Sequence, residues 1–199
     1  MPARPPIALS HRRPPGRRSP PWWLLLWCVL WLGATPAPAP ESKGDVEYGV
    51  KAALLYNFCR YVEWPVATVP AKDSVLRIGL LAEDPVAAGI KLAMVGKKAD
   101  AHPIEIVLLK DPAQVTNCQI FFLSRAMKAR APALLALTQT APVLTVGEFD
   151  GFIERGGLIN VLIVDESLRL EGNVDAARLL GVQISGKLAG TIHRRGRKP

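Results

Sequence analysis

Histidine and cysteine occur only three times each in 199 residues, and that scarcity removes most of the chemistry that side chains can perform unaided. His11 and Cys28 fall in a leader-like N-terminal stretch, which leaves His102 beside Pro103 and His193 on a basic tail. Two histidines so placed do not make a metal site, and Cys59 and Cys118, paired or buried, give them no further ligands. The glycine-rich GxGxxG turn, the P-loop, the GxSxG elbow and the HExxH helix are all missing. No catalytic residue, metal or cofactor is therefore expected, and the chain reads as a non-enzyme. No internal repeat or low-complexity stretch lies outside the tails. The longest apolar run, 22–34, is about 13 residues, too short for a membrane span of roughly 20.

That run is instead the middle of a secretory leader. Arg4, Arg12, Arg13, Arg17 and Arg18 precede it, and small residues and prolines follow to about residue 40. Residues 1–40 are expected to be a signal peptide and Pro/Ala-rich linker, 41–193 one domain, and 194–199 a basic tail whose deletion leaves folding unchanged. The charge balance follows this division. The chain carries 25 basic and 17 acidic residues, net +8. Five of the cations lie in 1–40, with no acid, and four are Arg194, Arg195, Arg197 and Lys198, so the domain holds 16 against 17, or −1. A basic face for nucleic acid is not supported.

The domain is organised around 46–65, VEYGVKAALLYNFCRYVEWP. At 100° per residue Val46, Val50, Ala53, Leu54, Phe58, Tyr61 and Val62 form one apolar arc, widened by Leu55, Cys59, Ala52 and Tyr48. A helix so apolar is expected to be covered by the rest of the fold, with Asn57 needing partners inside the arc and Lys51 snorkelling at its edge. Ser42 or Asp45 supplies the cap, and Trp64-Pro65 the stop.

Downstream, strands are expected over 75–81, 104–109, 118–123 and 142–146. Helices are expected from Pro85 to about 95, over 127–138 and over 174–180, with a last one from Ser185 to about His193. Leu158–Val164 and 168–171, joined at Asp165-Glu166-Ser167, read as an antiparallel hairpin. The rhythm is that of an α/β three-layer sandwich: a mostly parallel sheet with helices on both faces, finished by the hairpin.

Two groups of carboxylates are candidate sites. Glu83 and Asp84 follow the first strand, where open α/β sheets bind ligands. They are equally an N-cap with a solvated neighbour, and they are also where a hydrolase would have to place its acids. Glu148, Asp150, Phe152 and Arg155 lie on a glycine-rich loop, 147–157, which is either a partner-recognition patch or solvated charge around a buried phenylalanine. Cys59 and Cys118 are either one disulfide, contributing about 4 kcal/mol, or two buried thiols.

The run VKAALLYNFCRYVEWP resembles the opening signature of the YfiR-like family, and GGLINVLIVDESLRLEGNVDAAR resembles its hairpin and the start of the next helix. The resemblance covers roughly 45–192. Gly172 departs from it, standing where the family has a bulky apolar residue. The family consists of periplasmic negative regulators, and cysteine pairs among its members favour the Cys59–Cys118 bridge. The resemblance implies an exported protein that represses the sensor domain of an inner-membrane diguanylate cyclase, lowering cyclic di-GMP and biofilm formation. A sensor kinase as partner, an unidentified small ligand and a homodimer are alternatives that the residues leave open.

Overall fold

A computed structural model describes residues 43–69, 71, 73–164 and 167–195. The expected leader, the Ser42 cap, the hairpin turn at Asp165-Glu166 and residues 196–199 lie outside the described residues.

Helix α1 (Lys43–Tyr61) carries the central motif and runs into a two-residue strand β1 (Val62–Glu63). There follow β2 (Leu76–Leu81), α2 (Ala87–Ala93), β3 (Lys98–Ala99) and β4 (His102–Leu109). A 3-10 turn at Pro112–Asn117, capped by Asp111, leads to β5 (Ile120–Leu123), and a second at Arg125–Met127 leads to α3 (Ala131–Ala136). The chain then forms β6 (Leu144–Gly147), β7 (Ile159–Val164), β8 (Ser167–Gly172) and α4 (Val174–Leu179). It ends with β9 (Gln183–Ile184), α5 (Gly186–Ala189) and β10 (Ile192–Arg194).

Among the described residues eight strands make one sheet in the order β10-β8-β7-β6-β5-β2-β4-β3, while β1 pairs with β9 apart from it. The centre, β4 to β7, is parallel, and β7 and β8 form the expected antiparallel hairpin, Ile159 opposite Gly172 through Val164 opposite Ser167.

Alternation along each strand divides the core in two. Leu76, Ile78, Leu80, Ile120, Phe122 and Leu144 face α1, meeting its Leu55, Phe58 and Cys59. Leu81, Phe121, Leu123 and Val143 face the other way, against Val115, Met127, Leu134 and Phe152. Period-two strands buried on both faces require a layer on each side, and the result is the three-layer sandwich.

Three local expectations change. The covered flank of α1 is Ala52, Leu55, Phe58, Cys59 and Val62, whereas Val46 and Val50 are 51% and 49% exposed. Asn57 is exposed too and needs no internal partner. The helix expected over 127–138 starts later, at Ala131, after the 3-10 turn that Ser124 caps through the Ala126 amide at 3.2 Å. The helix expected to reach His193 stops at Ala189, and the chain returns as β10, parallel to β8. Its Ile192 is buried and sits where a side chain at Gly172 would have been, 2.7 Å from an ideal Cβ there. The glycine and the returning strand are thus complementary. Arg195 then pairs with Glu171, which is buried, and with Glu154, at 3.1 and 3.2 Å. The start of the expected basic tail is therefore part of the fold.

Candidate functional site

The sheet has a switch point between β2 and β5. β2 leads into α2, which packs on the α1 face through Ala87 and Ile90, and β5 leads into turns that pack on the opposite face. Ligands of open α/β sheets bind in the crevice between two such strand ends, and Glu83 and Asp84 are placed there. Asp84 closes it. One carboxylate oxygen accepts from the Val86 amide at 3.2 Å, the other from the Ser124 amide at 3.2 Å, and the side chain is 3% exposed. It joins the ends of the two strands in the space a ligand would take. Glu83 points outward and pairs with Arg130, whose hydrogen bond holds its carboxyl below the ordinary glutamate range. The two residues are brought to the expected crevice, and there they form a cap and a surface ion pair.

The loop after β6 is likewise turned inward. Phe152 is 0% exposed and meets Phe149 edge-on at 5.2 Å. Its ring lies 2.4 Å and 2.2 Å from the ideal Cβ positions at Gly147 and Gly157, so only glycine at those points lets the aromatic in. Phe152 is therefore a core residue, and an exposed recognition patch centred on it is corrected. Glu148 reaches back to the long helix: it pairs with Lys51 and accepts from the Arg125 amide at 3.1 Å. Lys51 also pairs with Glu47 at 3.1 Å and lies 6.0 Å from the Phe122 ring, so it is neutralised in place. Arg155 donates to the Gly151 carbonyl at 2.6 Å, within its own loop, and Asp150 is exposed beside it.

The structure does not bring Cys59 and Cys118 together. Both are free, buried thiols, Cys59 in the core on the α1 face and Cys118 in the core on the other, against Gly79 and Leu109. Of the two alternatives, the structure holds the pair of buried thiols, with the sheet between the two side chains. Burial pushes the Cys59 thiol up to about 12, and the Cys118 thiol, by desolvation first, up to about 11. Among the described residues no group of three metal-ligating side chains gathers; His102 instead donates Nδ1 to the Ser74 carbonyl at 2.9 Å.

A different site was not foreseen. The uncovered side of α1 and the hairpin enclose an open groove of about 560 Å³, with the C-terminal segment at its end. Leu54, Phe58 and Tyr61 form one wall, Val164, Leu168 and Leu170 the other, and Leu188 the floor. Arg169, Lys187 and His193 also line it, and among the described residues no carboxylate does. Lys187 and Arg60 lie 5.3 and 5.6 Å from the Tyr61 ring, a cation–π arrangement that fixes the aromatic at the groove's end. The sequence signal for this surface was the excess width of the apolar arc on α1, more than one sheet face could cover. Hairpin and C-terminal residues reach the groove only through tertiary packing.

Among the described residues no helix is long and apolar enough to cross a membrane. No curated protein matches the chain. A solved structure, that of a conserved domain protein from Vibrio cholerae O1 biovar El Tor, matches with a TM-score of 0.50 at 11% identity. The match covers 74% of this chain and 59% of that one, and it shows a shared fold. The model of the YfiR/HmsC-like family matches residues 48–190, from the α1 motif through the hairpin to the last helix, and the chain belongs to that family.

Proposed function

We propose that the protein is an exported, non-enzymatic regulator that docks on the periplasmic sensor domain of an inner-membrane signalling protein, a diguanylate cyclase, and holds it inactive. The observation that carries this reading is the family match over 48–190. The leader-like composition of residues 1–40 supports export. The open groove supplies a surface suited to a partner: apolar walls, Arg169 and Lys187 among its lining residues, and exposed Val50 and Ile163 continuing beyond it. Contiguous apolar surface of this kind marks interaction sites on soluble proteins. Repression requires only that the protein bind the inactive sensor better than the active one; a full switch needs about 5.5 kcal/mol of difference.

The test is cellular cyclic di-GMP in the host with the gene deleted, restored, or restored without residues 1–40. A rise on deletion, reversed only by the form carrying the leader, is expected. Unchanged cyclic di-GMP in every strain refutes the cyclase as target.

A second reading is favoured by the groove's size, which falls in the roughly 300–1,000 Å³ range of small-molecule sites. A bound metabolite there would compete with the partner and release it. Thermal stabilisation by members of a metabolite panel, lost in Leu54→Asp, is the expected result; a panel without effect removes this reading.

A further inference from the structure

Resting on the docking reading, we infer that the groove between α1 and the hairpin receives an acidic, amphipathic peptide segment of the protein partner. The apolar surface extends beyond the groove itself. On α1 it continues from Leu54 to Val50 and Val46, each one turn further along the same stripe. On the hairpin it continues to Leu168 and Ile163, which pair across the strands and are 48% and 76% exposed. From Val46 to Tyr61 the stripe extends about 22 Å at 1.5 Å per residue, the length of roughly four helical turns. A segment with apolar side chains at spacings of three and four would fill such a trough.

The charge at its rim selects the flank of that segment. Arg169, Lys187 and His193 form no ion pair among the described residues, whereas Glu83, Glu148 and Glu171 elsewhere on the domain are paired. Lys187 is already ordered against Tyr61, so a carboxylate arriving beside it meets a positioned cation. Positive charge that no described carboxylate pairs, beside an apolar floor, discriminates partners by complementarity. A basic segment would place like charges together.

Two synthetic peptides of roughly 15 residues, sharing one leucine stripe but flanked by Glu in one and Lys in the other, test this by fluorescence anisotropy. They are titrated into the purified protein, into an Arg169→Glu/Lys187→Glu double variant, and into Leu168→Glu. These positions are exposed, and circular dichroism checks that each variant keeps its fold. The Glu-flanked peptide is expected to bind saturably and at least about tenfold more tightly than the Lys-flanked one. The double variant is expected to invert the order, and Leu168→Glu to lose binding. Equal binding of the two peptides, no saturable binding of the Glu-flanked one, or an order unchanged by the double variant overturns the inference. Those failures leave the regulatory reading standing where deletion still raises cyclic di-GMP; failure of that reading shows in the deletion strain whatever the peptides do.

Discussion

Replacing Phe152 with Ala tests directly whether the glycine-rich loop is core or recognition surface. The ring is fully enclosed, in edge contact with Phe149 and seated on Gly147 and Gly157, whose missing Cβ atoms make the space it fills. Phe-to-Ala changes in protein cores cost about 3–5 kcal/mol, the spread reflecting how far the site collapses. The aromatic pair adds about 0.5–1.5 kcal/mol beyond burial. A loop collapses more readily than a strand, so the lower end, about 3 kcal/mol, is expected. Against a total stability of roughly 5–15 kcal/mol this is a large loss. At this size it corresponds to a fall in Tm of about 6–12 °C. Urea unfolding followed by near-ultraviolet circular dichroism measures it, with an unchanged m-value showing that the change is in stability. A variant whose stability lies within about 0.5 kcal/mol of the parent would refute the core assignment.

Further outcomes follow from the same geometry. Asp84→Ala removes a cap and leaves the buried Ser124 amide without its acceptor, so a loss of about 2–4 kcal/mol is expected in thermal unfolding; a loss below about 0.5 kcal/mol would show the strand ends to be joined by other means. Cys59 and Cys118 should resist thiol reagents in the folded protein at neutral pH and be found as free thiols by peptide mass spectrometry after unreduced denaturation; recovery of a Cys59–Cys118 disulfide peptide would overturn their assignment to separate cores. Because burial raises both thiols above the ordinary 9.0, the folded state keeps protons that the unfolded chain gives up. Their contribution to stability is present below pH 9 and declines as pH rises towards 12, which alkaline unfolding measures. Arg195→Ala leaves buried Glu171 without its counter-charge, and since the arginine is half exposed the expected loss is only about 1–2 kcal/mol; truncation after Thr191, which also removes Ile192, should cost more, and an undiminished urea midpoint would contradict the place of β10 in the core.

The layered architecture was legible because its signals are local. Strands such as LRIGLL and IFFL are apolar at consecutive positions, which only burial on both faces explains, and the hairpin shows as two extended runs around a polar turn. The α1 motif and the hairpin motif also carried the family resemblance, which the match over 48–190 bears out. The helix starts at 174 and Ser185 were legible for the same reason, since an N-cap acts within three residues: Asn173 and Ser185 accept from the Ala176 and Leu188 amides at 3.0 and 3.4 Å.

What the residues alone determined is the long helix, the main strands, their order and the presence of two buried sheet faces, because propensity, capping and periodicity act over a few residues; the short strands β1, β3, β9 and β10 were not among them. Only the tertiary structure decided which side of α1 is covered, since a wide apolar arc fits a sheet in more than one rotation. It also decided that the sheet lies between the two cysteines, that Asp84 fills the crevice where a ligand was expected, and that Ile192 returns to occupy the space Gly172 leaves. Each of these depends on residues twenty or more apart meeting in space or being held apart. The groove is the residue of those choices: the part of an over-apolar helix that the rest of the domain leaves open.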